Sequence, residues 1–299
     1  MKEAHPKNIL EVLQLSTEYL AEHEIENARL NAERLMAHVL NFNRVQLYTN
    51  YDRPLSEDEL QRFKGYLKRR AQNEPLQYIL GETEFMSLPF KVNPTVLIPR
   101  PETEMLVEKT IETCRKKFAT EKEIKILDVG TGSGCIAISL AKNLQNAQVT
   151  ALDVSDDALK TATQNARLNQ VEGKISFCKF DFLNSDFEKE AGSKFDVITS
   201  NPPYISDSEF DQLPQEVKDC EPVVALKNGR EGLEFYHKIA DCTSELLEVG
   251  GFISIEVGME QAGRVREIFL RNSFSKIKTY EDLTGVERAI ICEKRQEDK

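Results

Sequence analysis

From residue 124 to residue 292, short apolar, β-branched runs alternate with stretches of helical period, and that alternation leaves few folds open. The runs fall at 124–129, 148–153, 174–180, 195–200 and 251–257. Strands joined through helices lie parallel in one sheet with helices on both faces. The last two runs, 276–280 and 288–292, are separated by a short loop and predict an antiparallel hairpin at the end of that sheet.

In an open α/β sheet, ligands bind beyond the carboxyl ends of the strands, so the residues at those ends matter most. The first run enters Gly130-Thr131-Gly132-Ser133-Gly134, with a helix expected over 135–142. Glycines there let the backbone approach a ligand and leave N–H groups at the helix start open to it. A dinucleotide fingerprint needs its third glycine at 135, where Cys135 stands; glycines at 130, 132 and 134 suit S-adenosylmethionine better than a pyrophosphate. The second run ends in Asp153, about twenty residues past the loop, where a carboxylate can accept both ribose hydroxyls. Asp153 is also placed to cap the helix starting near Asp156, although Ser155 already supplies a cap. The third run ends in Asp181-Phe182. An acid there can accept from an adenine amine and a ring can lie on its face; an ordinary loop carboxylate and a core Phe are the alternative.

The fourth run leads directly into Asn201-Pro202-Pro203-Tyr204. Two prolines stop the strand in a rigid turn, and its carbonyls have few local donors to satisfy them. A conjugated –NH2 offers two in-plane N–H donors, which the Asn201 side-chain oxygen and the Pro202 carbonyl can accept together, while Tyr204 offers a flat face. Taken alone, Asn-Pro-Pro is also a common strand-ending turn. Convergence of Gly130, Asp153, Asp181 and Asn201 on one crevice favours the ligand reading.

At 299 residues the chain is long enough for two domains. Its formal net charge of -11 argues against a protein that grips duplex nucleic acid by its phosphates. Six cysteines are spread singly with no Cys-x-x-Cys pair, which indicates neither a zinc site nor a disulfide framework. Residues 1–6 lack the apolar core of a signal peptide and no apolar run approaches membrane-spanning length, so a cytoplasmic protein is expected.

The amino-terminal third has the helical period. Ile9, Val12, Leu13, Leu15 and Leu20 form one stripe, Ala28, Ala32, Leu35 and Val39 a second, and Leu60, Phe63 and Leu67 a third. Ser56 with Glu59 is a capping box opening the third helix. His5, His23 and His38 have no metal-ligand or triad partners nearby, so this bundle reads as a partner or substrate adaptor. Lys68-Arg69-Arg70 reads as a solvated helix face, with contact to RNA or an acidic partner as the alternative. Residues 84–86 and 90–92, around a turn at 87–89, predict a β-hairpin, followed by an extended segment at 95–98. Pro101 suits the first turn of a helix, with Glu102 and Glu104 at its positive end.

These residues resemble the release-factor glutamine methyltransferases, which methylate the side-chain amide of the Gln in the Gly-Gly-Gln motif of class I peptide-chain release factors. The likeness runs through Gly81-Glu82-Thr83-Glu84-Phe85, the stretch Val96-Leu97-Ile98-Pro99-Arg100-Pro101-Glu102-Thr103-Glu104, the glycine loop, Asn201 to Tyr204, Glu221-Pro222 and Asp282-Leu283-Thr284-Gly285. Many methyltransferases share the glycine loop; the 81–104 stretch is far more specific. The resemblance implies a Rossmann-like class I methyltransferase domain over 101–299, with a mostly parallel seven-stranded sheet ending in an antiparallel hairpin. A helical substrate-recognition domain over 1–75 and a linker with a β-hairpin over 76–100 precede it. It further implies S-adenosylmethionine held by Gly130, Thr131, Gly132, Ser133, Gly134, Asp153 and Phe182, to which the reading of the strand ends adds Asp181 and Asn201. The glutamine would be held by Asn201, Pro202, Pro203 and Tyr204, with Asn201 and Pro202 catalytic. Family members often carry Trp where Phe182 stands, so an indole N–H contact is missing here while ring stacking is retained.

The expected partner is a class I release factor, with neither a membrane nor a stable nucleic-acid partner. The strongest rival is an amino-methyltransferase acting on adenine or guanine in nucleic acid, since the same turn suits any conjugated –NH2; such enzymes usually show a basic groove or base-reading domain, and neither is evident. A non-catalytic adaptor for a translation factor is expected to have lost the acceptor turn or the ribose acid, and both are intact. The glycine spacing disfavours a nicotinamide oxidoreductase, and Ser133 lacks the setting of a hydrolase nucleophile elbow.

Overall fold

The computed structural model describes residues 8–119, 121–183, 187, 193–282 and 284–295; residues 1–6, including His5, and Leu283 lie outside them. The chain forms two compact units. One comprises residues 1–81 together with 214–220, the other residues 82–213 and 221–299.

The first unit contains helices α1 (Ile9–Glu22), α2 (Ala28–Leu40), α3 (Arg44–Thr49), α4 (Glu57–Ala71) and α5 (Leu76–Leu80). Ile9, Leu13, Leu20, Leu35, Met36 and Phe63 form its core. Leu15, expected on the buried stripe of α1, is half exposed. It sits between turns of the face that Val12, Leu13 and Leu20 define, and Ser16 takes the buried place by donating to the Val12 carbonyl at 2.7 Å. The Ser56–Glu59 capping box opens α4, with both reciprocal bonds formed.

In Lys68-Arg69-Arg70, Lys68 is exposed and Arg69 half exposed, as a solvated helix face requires, whereas Arg70 turns inward. Arg69 grips Glu74 through two nitrogens, at 2.7 and 2.5 Å. Arg70 is buried and donates to Asn31 Oδ1, the Glu74 carbonyl and Glu216 Oε2 at 2.9, 2.9 and 2.7 Å. Glu216 belongs to the helix Gln215–Cys220, which groups with this unit. A neighbouring carboxylate therefore holds Arg69, and one distant in sequence holds Arg70.

In the second unit, a hairpin of β1 (Glu82–Phe85) and β2 (Leu88–Lys91) precedes α6 (Pro101–Lys117). The hairpin turns at Met86-Ser87 and not at 87–89, because both residues adopt left-handed backbone, as a two-residue connection requires. Pro89 lies within β2 instead. Of residues 95–98, expected to be extended, Thr95 and Val96 instead lie in a turn and bend, where Asn93 Oδ1 accepts from the Thr95 N–H and hydroxyl. Pro101 does open α6, with Glu102 and Glu104 in the first turn.

The alternation then becomes β3 (Ile124–Val129), α7 (Cys135–Asn143), β4 (Ala147–Asp153), α8 (Asp156–Leu168), β5 (Ile175–Lys179), β6 (Phe195–Ser200), β7 (Leu247–Glu256), β8 (Phe274–Glu281) and β9 (Glu287–Lys294). Helices Glu234–Leu246 and Ala262–Arg271 flank β7. The seven strands form one sheet in the order β5-β4-β3-β6-β7-β9-β8, parallel except where β9 joins β7 and β8. Period-2 alternation assigns the two faces. Ile126, Val197, Phe252 and Ile291 join the core under α6 and α7, whereas Leu127, Ile198, Ile253 and Ile290 join the core under the helices Glu234–Leu246 and Ala262–Arg271.

Asn165, fully buried on α8, ties the hairpin to the glycine turn. Its Oδ1 accepts from the Lys91 N–H at 2.7 Å, and its Nδ2 donates to the carbonyls of Lys91 and Ser133 at 3.0 and 2.9 Å. Asn165→Ala removes the partners of these backbone groups, the Ser133 carbonyl in the buried interior, and is expected to lower the unfolding free energy by about 2 kcal/mol. Urea denaturation tests this; an unchanged midpoint contradicts it.

Candidate active site

The topology reverses beside β3. From β3 the chain proceeds to β4 and then β5 on one side, and β6 returns to the other side. Val129 pairs with Leu152 on β4 and with Ser200 on β6, so Gly130, Asp153 and Asn201 leave the sheet side by side. Ser200 reinforces the junction by donating its hydroxyl to the Val129 carbonyl at 2.7 Å. A cavity of about 250 Å³ opens at this switch point, where open α/β sheets bind ligands. Its lining includes Gly130, Gly132, Asp153, Asp181, Phe182, Asn201 and Pro203, joined by Leu97, Val224, Ala225, Lys227 and Phe235.

The glycine loop divides its tasks. Gly130 and Gly132 have φ of +74° and +54°, and a Cβ on either would meet nothing within 4 Å, so open space lies against bare backbone. Thr131, Ser133 and Gly134 do not line the cavity. The Thr131 hydroxyl turns back to Asp128 Oδ2 at 2.7 Å, the Ser133 carbonyl accepts from Asn165, and Gly134 starts α7.

Asp153 accepts from the Gly132 N–H through Oδ2 at 2.8 Å and from the Ser155 N–H through Oδ1 at 2.9 Å. Each oxygen keeps lone-pair capacity toward the cavity. Burial pushes this carboxyl above the usual range, against the pull of those N–H groups. Ser155 is the N-cap of α8, accepting from the Ala158 N–H. Phe182 is buried, with its ring stacked on Phe235 at a centroid distance of 6.2 Å, and the two rings form an apolar wall. Bare glycine backbone, the two carboxylates of Asp153 and Asp181, and an aromatic wall in one cleft fit a molecule with a charged chain, a ribose diol and a purine, as in S-adenosylmethionine.

The Asn-Pro-Pro-Tyr turn is held from behind. Asn201 donates from Nδ2 to Thr103 Oγ1 at 3.1 Å, and Thr103 donates to Glu256 Oε2 at 2.6 Å. The Tyr204 hydroxyl donates to Glu256 Oε1 at 3.3 Å, and its carbonyl accepts from Gln261 Nε2 at 2.9 Å. Burial raises the Glu256 carboxyl to about 7 and, with the Glu256 charge, raises the Tyr204 phenol. Gly232, at φ +70°, packs so closely that a Cβ would collide with the Tyr204 carbonyl. Asn201 and Pro203 therefore line the cavity, while Pro202 is buried and Tyr204 is anchored through both its hydroxyl and its carbonyl.

Residues 11–81 match the family model described as the PrmC N-terminal domain, and residues 120–256 match a methyltransferase domain. A release factor glutamine methyltransferase of Chlorobaculum tepidum is 40% identical over 293 residues, covering 98% of this chain and 99% of that one. One from Geobacter sulfurreducens is 41% identical, covering 94% and 95%, and one from Bacillus subtilis is 36% identical, covering 96% and 98%. The chain belongs to the release factor glutamine methyltransferase family. Fold likeness reaches further than the family. The hMettl16 catalytic domain in complex with MAT2A 3'UTR hairpin 6 matches at a TM-score of 0.55 with 18% identity, covering 78% of this chain and 84% of that one. A methyltransferase from Pyrococcus furiosus matches at 0.51 with 19% identity, covering 71% and 91%. Among the described residues, no helix is long and apolar enough to cross a membrane.

Two polar residues behind the turn, Thr103 and Glu256, are not among the site residues that the sequence singles out. Thr103 lies in the 81–104 stretch that marks the family, but its partner at 256 is 153 positions away. Glu256 carries a visible signal, a carboxylate closing an apolar strand just as Asp153 does.

Asp128, fully buried on β3, has no hydrogen-bond partner for Oδ1 among the described residues, and burial raises its carboxyl from 3.8 to about 7. The folded chain thus holds a proton there that the unfolded chain releases. Stability from this site is whole below about pH 4 and is lost as the pH rises through about 7. In paired denaturation curves of the cofactor-free protein, the parent is expected to lose stability relative to Asp128→Asn between about pH 4 and pH 7. A difference independent of pH contradicts it.

Proposed function

We propose that this chain transfers a methyl group from S-adenosylmethionine to the side-chain amide nitrogen of the Gln in the Gly-Gly-Gln motif of class I release factors. The observation that supports this most is the placement of Asn201 beside the glycine loop, at the rim of one cleft, with its NH2 already committed to Thr103. That leaves its side-chain oxygen as an acceptor for a carboxamide N–H.

Gly130, Gly132, Asp153, Asp181 and Phe182 are the residues suited to hold the methyl donor, which supplies an electrophilic carbon on a sulfonium. The acceptor is a poor nucleophile, because its lone pair is delocalised into the carbonyl, so alignment matters most. A fixed carboxamide held in line makes the encounter effectively unimolecular, which supplies on the order of 7 kcal/mol or more. Oxygens at Asn201 and Pro202 accepting its two N–H groups also stabilise the positive charge that develops on nitrogen. An N-alkylated amide cation loses its proton readily, so this chemistry needs no strong base. The helical unit is the part we assign to recognition of the release factor.

Incubation with labelled S-adenosylmethionine and, separately, a purified class I release factor, its Gln-to-Ala version, and tRNA or DNA tests the substrate class. Label on the intact release factor alone is expected; label on nucleic acid would transfer the reading to an amino-methyltransferase of bases. Asn201→Ala is expected to keep S-adenosylmethionine binding while transfer falls by a factor on the order of 10² to 10³. Near-normal turnover would refute the role of Asn201.

A further inference from the structure

A carboxamide is nearly symmetric in shape but opposite in polarity at its two ends. An Asn in an acceptor site therefore works only when something decides which end faces the substrate. Here the decision is made behind the turn. Glu256 and Thr103 are almost completely buried, at 2% and 1% exposure. Once ionised, above the value of about 7 to which burial raises its carboxyl, Glu256 only accepts, taking the Thr103 hydroxyl at Oε2 and the Tyr204 hydroxyl at Oε1. Once Thr103 has given its hydrogen to Glu256, its oxygen can only accept from Asn201. Only the NH2 end of Asn201 can donate, and it does so at 3.1 Å. Donation runs one way along the chain, from Asn201 through Thr103 to Glu256.

We propose that Thr103 and Glu256 are positioning residues for methyl transfer, fixing the polarity of Asn201 so that oxygen, not NH2, faces the acceptor nitrogen. This rests on the reading of Asn201 as the acceptor of the substrate amide. Without the chain, the Asn201 carboxamide is free to turn over, and an NH2 then meets the NH2 of the substrate, donor against donor. Sequence places the three residues on separate elements: Thr103 in the first turn of α6, Asn201 after β6 and Glu256 at the end of β7. The sheet order brings β6 and β7 together, with Ser200 opposite Ile255, so Asn201 and Glu256 emerge as neighbours.

The test compares T103V, which keeps the shape and removes the hydroxyl, with T103S, which keeps the hydroxyl. Steady-state constants for a release factor and calorimetric affinity for S-adenosylmethionine are measured for both, with Asn201→Ala alongside. T103V is expected to lose kcat roughly ten- to a hundredfold at nearly unchanged cofactor affinity, and T103S to recover most of the loss. Adding T103V to Asn201→Ala should then cost little more, because both act through one group. Normal kcat in T103V, a loss that T103S does not recover, or a collapse of cofactor affinity in T103V would each overturn the proposal; the last would show Thr103 to be merely structural. If Asn201→Ala itself turns over normally, the proposed function fails first; if only T103V does, this inference alone fails.

Discussion

The parallel pairing of β3 with β6 is the constraint on which the site depends. Ladder hydrogen bonds fix Val129 opposite Ser200, and the Ser200 hydroxyl adds a bond to the Val129 carbonyl at the last position before both strands end. A register shift of one residue would turn Val197 and Ile198 onto the wrong cores, so burial on both faces locks the register. The glycine loop and the acceptor turn are thereby held at a fixed offset, although 71 positions separate the two paired residues.

Around that junction the chain separates two tasks that a methyltransferase must combine. In the proposed function, donor-side groups are bare backbone and carboxylate oxygens, supplied by Gly130, Gly132 and Asp153. Acceptor-side groups then belong to the proline-rich turn, whose Asn201 hydrogen-bonds through Thr103 to Glu256. In the proposed reaction an amide nitrogen needs alignment more than a strong general base. The buried, fully engaged network behind the turn is the kind that rigidifies a site, because any break leaves polar groups in a medium that cannot solvate them.

Much of this was legible in the sequence because strands announce their own ends. Short apolar, β-branched runs located all seven strands of the sheet, and the residues at or just past their ends included Asp153, Asp181 and Asn201, which the fold gathers at one cavity. Legibility failed where long-range contacts decide. Arg70 looks like part of a surface patch until Asn31 and Glu216, distant in sequence, reach it. Leu15 matches the apolar count of α1 but not its face. Composition alone could not show that Thr131 and Ser133 turn away from the cleft that Gly130 and Gly132 face. The hairpin turn was displaced because Pro89 gave a stronger turn signal than Met86-Ser87, whose left-handed backbone depends on the strand pairing around it.

The account is most directly tested by a crystal structure of the protein with S-adenosylhomocysteine and a peptide containing Gly-Gly-Gln. It predicts the glutamine amide nitrogen at about 3 Å from both Asn201 Oδ1 and the Pro202 carbonyl, with Asn201 Nδ2 still on Thr103. A glutamine bound elsewhere, or an Asn201 side chain presenting Nδ2 to the peptide, would contradict it.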